Sequence, residues 1–176
     1  MAHLDELSGG VEPAILPIES SRPDLQRVFV LSYVDLPEPG MLTAFTYGLS
    51  LADHPDWRFG KPELCISVRS ADDAWALAMG DLADGLRGDC PFSYGNTIAF
   101  GPISDESKMT DFVVFAPISL DEDAYLGIDV GEARPITIQG LYPIHESERR
   151  SIDEHGLEAF WQLDWDPYDV RRSPAA

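Results

Sequence analysis

Positive charge is scarce in this sequence. Lys and Arg together number 12 against 31 Asp and Glu, giving a formal net charge of -19 and a pI near 4.2. A chain so short of cations has no footprint for a phosphate backbone, which argues against nucleic acid as a partner. Anionic membrane surfaces are disfavoured for the same reason. Cysteine is nearly absent as well. Cys65 reads as a structural thiol within a strand, Cys90 precedes Pro91 in a turn, and no feature supports a bridge between them. No run approaches the ~20 apolar residues of a membrane span, and the acidic start Met1-Ala2-His3-Leu4-Asp5-Glu6 lacks the apolar centre of a signal peptide. A cytoplasmic protein is the expectation.

Catalytic signatures are equally sparse. No P-loop, dinucleotide fingerprint or Gly-x-Ser-x-Gly elbow occurs. The four histidines, His3, His54, His145 and His155, are not paired at metal-ligand spacing, so neither a metal nor a cofactor is expected. His54, in Asp53-His54-Pro55-Asp56, reads as part of a solvated turn. Carboxylates are so abundant that close acid pairs would arise by chance. A hydrolase working through two of them is the weakest of the functional readings.

What the sequence does have is a globular composition, with 44% hydrophobic residues in 176 positions, enough for one domain with a core. Residues 1–20, punctuated by Gly and Pro, read as a loose leader. Residues 21–170 read as the domain and 171–176 as a frayed tail. Val28–Val34 and Met41–Ser50 read as strands across a Pro37-Glu38-Pro39-Gly40 turn, the second with Thr43, Phe45, Tyr47 and Leu49 on one face. Leu64, Ile66 and Val68 alternate with Cys65, Ser67 and Arg69, which predicts a half-buried strand. A helix follows, capped by Ser70, with the stripe Trp75, Met79, Leu82, Leu86, and Gly85 and Gly88 at its end. Thr97–Phe100 is a short strand, Phe112–Ala116 a central one, Leu120–Tyr125 an acidic loop, and Ile136–Gln139 a strand running on to Tyr142-Pro143. Glu146–Leu163 reads as a second helix with a core stripe of Ile152, Ala159 or Phe160, and Leu163, although Gly156 lies inside it. The expected fold is α+β, with a mixed, largely antiparallel sheet flanked by two main helices.

Two acidic segments are candidate partner-binding sites. Asp121-Glu122-Asp123 forms one; its bland reading is a solvated turn. The other is Asp164-Trp165-Asp166-Pro167-Tyr168-Asp169, where Trp165 and Tyr168, with Trp161 before them, either anchor a partner or fold back onto the core.

Three further segments, Tyr47-Gly48-Leu49-Ser50, Pro62–Val68 and Tyr142-Pro143-Ile144-His145-Glu146-Ser147-Glu148, resemble the Suppressor of Fused domain, and Gly156–Phe160 fits its closing helix. The resemblance spans roughly residues 28–165. It implies that Gly48, Ser50, Glu63, Pro143 and Glu148 are structural motif residues. Physically, Gly48 permits a turn other residues resist, Pro143 keeps the approach to the helix extended, and Glu146 and Glu148 complement the helix dipole. His145 departs from the pattern by standing where a Ser or Thr cap would be expected. The resemblance further implies a non-catalytic binding module of the bacterial, single-domain form, without the C-terminal domain with which the animal member clamps a peptide strand. Bacterial members include immunity proteins, and the acidic surface suits a basic toxin such as a nuclease. A scaffold that takes a peptide by edge-strand addition is the alternative.

Overall fold

The computed structural model describes residues 2–22 and 24–176. Met1, in the expected leader, and Pro23, in the expected domain, lie outside the described residues. The described residues form an α+β domain around one seven-stranded sheet. In chain order the elements are α1 (Ala2–Leu7), β1 (Ala14–Pro17), β2 (Phe29–Val34), β3 (Leu42–Tyr47), β4 (Lys61–Val68), α2 (Ala74–Leu86), β5 (Thr97–Ala99), β6 (Asp111–Phe115), α3 (Glu122–Tyr125), β7 (Ile136–Ile144), α4 (Glu146–His155) and α5 (Leu157–Trp161). The strand order is β1-β2-β3-β4-β7-β6-β5. The sheet is mixed: β4 and β7 run parallel, with Lys61 opposite Ile136, and the other neighbours pair antiparallel.

One face of the sheet carries the main core. The α2 stripe of Trp75, Met79 and Leu82 packs over Leu64, Ile66, Val68 and Leu42. Trp75 is fully buried, and its indole Nε1–H donates to Glu106 Oε1 at 3.2 Å. Gly80 brings the helix close: a Cβ there would lie 2.4 Å from Ile18 Cδ1 and 2.7 Å from Val30 Cγ2. Helix α2 starts later than the sequence predicts, because Ser70 Oγ bonds Asp72 N–H and the Glu106 carboxylate instead of capping a helical turn. It also runs through Gly85, which alone does not break a helix whose apolar face is packed, and stops at Arg87 and Gly88, the latter at φ 85°.

The opposite face is covered in pieces. Leu4 of α1 joins Tyr33, Phe45, Cys65 and Ile138, while Ile152 of α4 and Phe160 of α5 join Tyr142 and Ile144. Because both faces are covered, β4 is buried from Pro62 to Val68 rather than on one side only, and burial pushes the Cys65 thiol up to about 12.

Several expectations are corrected here. The expected leader contains a helix and a sheet strand, since Ile18 and Leu4 both find apolar ground to cover. Strand β3 ends at Tyr47, which is exposed, and Leu49 enters a short 3-10 turn, so the four-residue face does not form. The acidic 120–125 segment closes one helical turn as α3. The second long helix is two short ones, because Gly156 at φ 89° cannot continue the spiral. Its core residues are Ile152 and Phe160, whereas Ala159 and Leu163 face solvent. The 171–176 tail is tied down rather than frayed, by Arg172 and Ala175.

Candidate binding face

The features that shape a site lie on the patchwork face. Two buried carboxylates hold it together. Glu63, on β4, reaches across to the turn after β3, where its oxygens accept from Thr46 Oγ1 (2.6 Å), Ser50 Oγ (2.6 Å) and the backbone N–H groups of Gly48 (3.0 Å), Ser50 (3.1 Å) and Leu49 (3.3 Å). Gly48 sits at φ 117°, with Arg27 O only 3.0 Å from where a Cβ would stand, so the turn requires glycine. Gly48, Ser50 and Glu63 are thus one structural unit. The second carboxylate, Glu148, is buried and not merely a dipole partner on the helix surface. It accepts from His145 N–H (2.8 Å) and Ala175 N–H (2.8 Å) and pairs with Arg172. Burial works to raise its pKa, but the Arg172 guanidinium and these N–H groups outweigh it and hold the carboxyl below its ordinary value. His145 Nε2–H donates to Arg172 O at 3.0 Å, so the unusual cap residue also fastens the tail. Pro143, opposite Phe112, sits within the β6–β7 ladder that leads into α4.

A third support is Tyr142. Its hydroxyl donates to Ala116 O (2.6 Å) and accepts from Ile118 N–H (2.8 Å), fixing the loop into α3. The ring lies over Gly140, where a Cβ would come within 2.8 Å of it.

Between α1, the turn after β3 and the 128–136 hairpin, a pocket of about 480 Å3 remains open. Its apolar surface includes Leu4, Phe45, Ile128, Ile136 and Ile138. Lys61 and Arg134 also border it, and both bind Asp53, at 3.1 and 2.6 Å, which draws the Asp53 carboxyl below its ordinary range. The hairpin closes through the Ile128–Ile136 bridge and an Asp129 Oδ1 bond to Gly131 N–H of 2.8 Å. Periodicity gave no sign of this pocket, because its walls come from four segments separated in sequence.

The candidate segments land in different settings. Asp121, Glu122 and Asp123 are exposed at the start of α3, which α1 meets through His3 Nε2–H donating to Ala124 O at 2.7 Å. Trp165 is half-buried, 4.8 Å from the Phe160 ring and 5.2 Å from Trp161, with the Arg172 guanidinium 4.8 Å over its face. Asp166 pairs with Arg69, whose guanidinium also lies 5.7 Å over Tyr168. Asp164 is exposed, and Asp169 Oδ1 accepts from Arg171 N–H at 2.9 Å. The second segment therefore packs beside the end of β4 remote from the pocket. His54 sits in a turn, with Nδ1 accepting from Asp56 N–H at 3.1 Å. Among the described residues no group of three or more His, Cys, Asp or Glu side chains could hold a metal, and no helix is long and apolar enough to cross a membrane.

The charge ledger is lopsided. Among the described residues, all Lys and Arg side chains except Arg27, Arg58 and Lys108 lie within 4.0 Å of a carboxylate. The acids of α1 and α3 and of the hairpin have no such partner.

A seven-stranded mixed sheet with one central parallel pair, a helix layer on one face and short helices on the other, defines an α+β domain whose site is a surface pocket. Residues 24–173 match the sequence profile of the Suppressor of fused protein (SUFU) family, and the chain belongs to that family. Comparison with curated proteins finds no match. Among solved structures, the fold is similar to a protein described as a SUFU homologue from Neisseria gonorrhoeae FA 1090. That comparison has TM-score 0.76 and 18% identity and covers 99% of this chain and 93% of the other. It is also similar to a chain of the Sufu–Fu complex (TM-score 0.71, 12% identity, 99% and 89% covered). Drosophila Suppressor of Fused gives a TM-score of 0.70 at 11% identity, with 99% of this chain but 50% of that one covered, so this chain spans half its length.

Proposed function

We propose that the chain is a non-catalytic protein-binding module whose partner is a basic protein, and that it acts as an immunity protein by masking the substrate groove of a toxin domain such as a nuclease. The observation that carries this is the charge ledger. With most cations held in internal ion pairs, the surplus of carboxylates faces outward, and such a field steers and retains a positively charged surface. Family membership supports a protein partner, since a chain of similar fold is found in the Sufu–Fu complex. The non-catalytic reading is supported by the buried acids. Glu63 and Glu148 are occupied by donors, Asp84 by Arg87 (2.8 Å) and Ser21, and Asp111 by Arg149 (2.5 Å), so each acts as a fastening. The test is co-expression with the toxins encoded by neighbouring genes. Protection from one of them, with a complex that weakens steeply as salt rises, is the expected result. No partner and no protection would sink the reading.

A second reading, edge-strand addition, is favoured by the difference between the two sheet edges. At β1, Ile18 N–H bonds Val28 O at 3.1 Å, which by antiparallel alternation turns Ile15 outward between Pro13 and Pro17, neither of which has an N–H. At β5, Val114 N–H to Asn96 O (2.9 Å) and Phe100 N–H to Thr110 O (3.1 Å) leave Thr97 and Ala99 pointing outward. A peptide strand added there would slow hydrogen exchange at those two amides. Unchanged exchange in a saturated complex would exclude it.

A further inference from the structure

We propose that the 480 Å3 pocket beside α1 is the anchor point for the partner and takes an apolar side chain that is flanked in its own chain by Lys or Arg. This rests on the reading of a basic protein partner and adds where and how that partner is gripped.

Three observations converge on the pocket. Its volume is that of a site for a buried group, and the partly exposed Ile128 and Ile136 present hydrocarbon within it over the buried Phe45 and Ile138, so an apolar insert would desolvate both surfaces. Its mouth carries further apolar surface at Tyr47, Leu51 and Val130, each about half exposed, which extends the contact beyond a single side chain. At that mouth Glu132 of the hairpin lines the pocket, Asp129 lies between the lining residues Ile128 and Val130, and Asp5 follows the lining residues His3 and Leu4 along α1, all three acids exposed. Among the described residues none of these three reaches a Lys or Arg.

The cations that border the pocket do not reverse this charge. Lys61 Nζ also donates to Ala52 O (3.0 Å) and Arg134 to Trp57 O (2.9 Å), so both are tied to the 52–57 loop as well as to Asp53. Glu63 at the base has its oxygens filled by the β3 turn. An anionic ligand would meet the uncommitted Glu132 and Asp129 at the mouth, whereas a Lys- or Arg-flanked apolar residue meets apolar walls beside those carboxylates. An apolar centre with a charged rim is where binding energy concentrates in protein interfaces.

The test follows the backbone amides of 15N-labelled protein. The probes are the capped peptides Lys-Lys-Phe-Leu-Lys-Lys, Lys-Lys-Gly-Gly-Lys-Lys and Glu-Glu-Phe-Leu-Glu-Glu, and decanoate. The first peptide should shift amides at Leu4, Lys61 and the 128–138 segment, saturably, and the other probes should bind at least tenfold more weakly. Ala133→Trp, which fills the mouth from an exposed loop position, and Val130→Lys, which removes apolar surface and repels the Lys flanks, should each weaken the first peptide tenfold or more while the melting temperature stays unchanged. Shifts centred elsewhere, or an equal response to the diglycine peptide, overturn the proposal. So does decanoate binding without peptide binding, which assigns the pocket to a small apolar acid. Movement of the same amides with protein concentration alone assigns it to a second copy. If a toxin is neutralised equally well by Ala133→Trp and the parent, the pocket proposal fails while the basic-partner reading stands. If no basic protein is neutralised yet the peptide binds here, the reverse holds.

Discussion

The two faces of the sheet solve burial differently. On the α2 face one helix covers β2, β3 and β4 with a mainly apolar stripe, and the close approach is set by Gly80. On the other face short helices and a tail share the work, and their positions are fixed by polar fastenings: Glu63 to the β3 turn, Tyr142 to the 116–118 loop, Glu148 to Arg172. Packing by hydrocarbon leaves little open volume, because any void forfeits dispersion and transfer energy. Fastening by hydrogen bonds fixes segments at a few points and leaves space between them. The pocket lies on the fastened face, so the main core and the proposed recognition site lie on opposite sides of one sheet.

The comparison breaks most visibly at Trp75. Trp75→Ala should cost about 3–5 kcal/mol in a urea titration, the range for deleting a large buried aromatic. A loss under about 1 kcal/mol would mean the α2 face is not the dominant core.

Next comes Arg172→Ala. It leaves the buried Glu148 carboxylate without its cation and should cost about 3 kcal/mol, with the tail becoming sensitive to carboxypeptidase. Gly140→Ala forces a methyl against the Tyr142 ring and against Ala116 O, 3.0 Å away, at about 1–3 kcal/mol, and should loosen the 116–118 loop as seen by hydrogen exchange.

Acid sharpens the contrast further. The Glu148 carboxyl is held below its usual 4.5, so the stability it contributes is present above that pH and is lost as pH falls through its folded value. Glu148→Gln should therefore be less stable at pH 7 and show a shallower decline from pH 5 downward than the parent. Parallel curves would show that the fastening is not electrostatic. The smallest effect is expected at the pocket mouth. Glu132→Gln should change stability by less than about 0.5 kcal/mol, as an exposed position with no ion pair, while weakening capture of a basic partner.

Much of the architecture was legible along the chain. The Trp75, Met79, Leu82 stripe announced α2, and the apolar Phe112–Ala116 run announced a buried strand, although β6 lies beside the edge strand β5 and not at the centre of the sheet as expected. The misreadings share one cause. Leu4 and Ile18 look too isolated to order a leader, Gly156 looks tolerable within a helix, and Arg171-Arg172 looks like a solvated end. Each was decided by a neighbour far away in sequence: Ile138 for Leu4, Gly80 for Ile18, Glu148 for Arg172. Of the candidate site, the acidity of 121–123 could be read directly. Its place beside α1, and the fact that Arg69 engages both Asp166 and Tyr168, could not.

By itself the sequence determined the α+β class, the helix α2 and the excess of negative charge, because each depends on local pattern or on composition, while Gly48, Ser50 and Glu63 were singled out by family resemblance. Only the tertiary structure decided that Glu63 closes the β3 turn, that Glu148 holds the tail, and that α1, the β3 turn and the 128–136 hairpin enclose a pocket. The reason is geometric. A pocket or a buried ion pair is a relation between segments brought together by sheet pairing, and no local period encodes which strand will lie beside which.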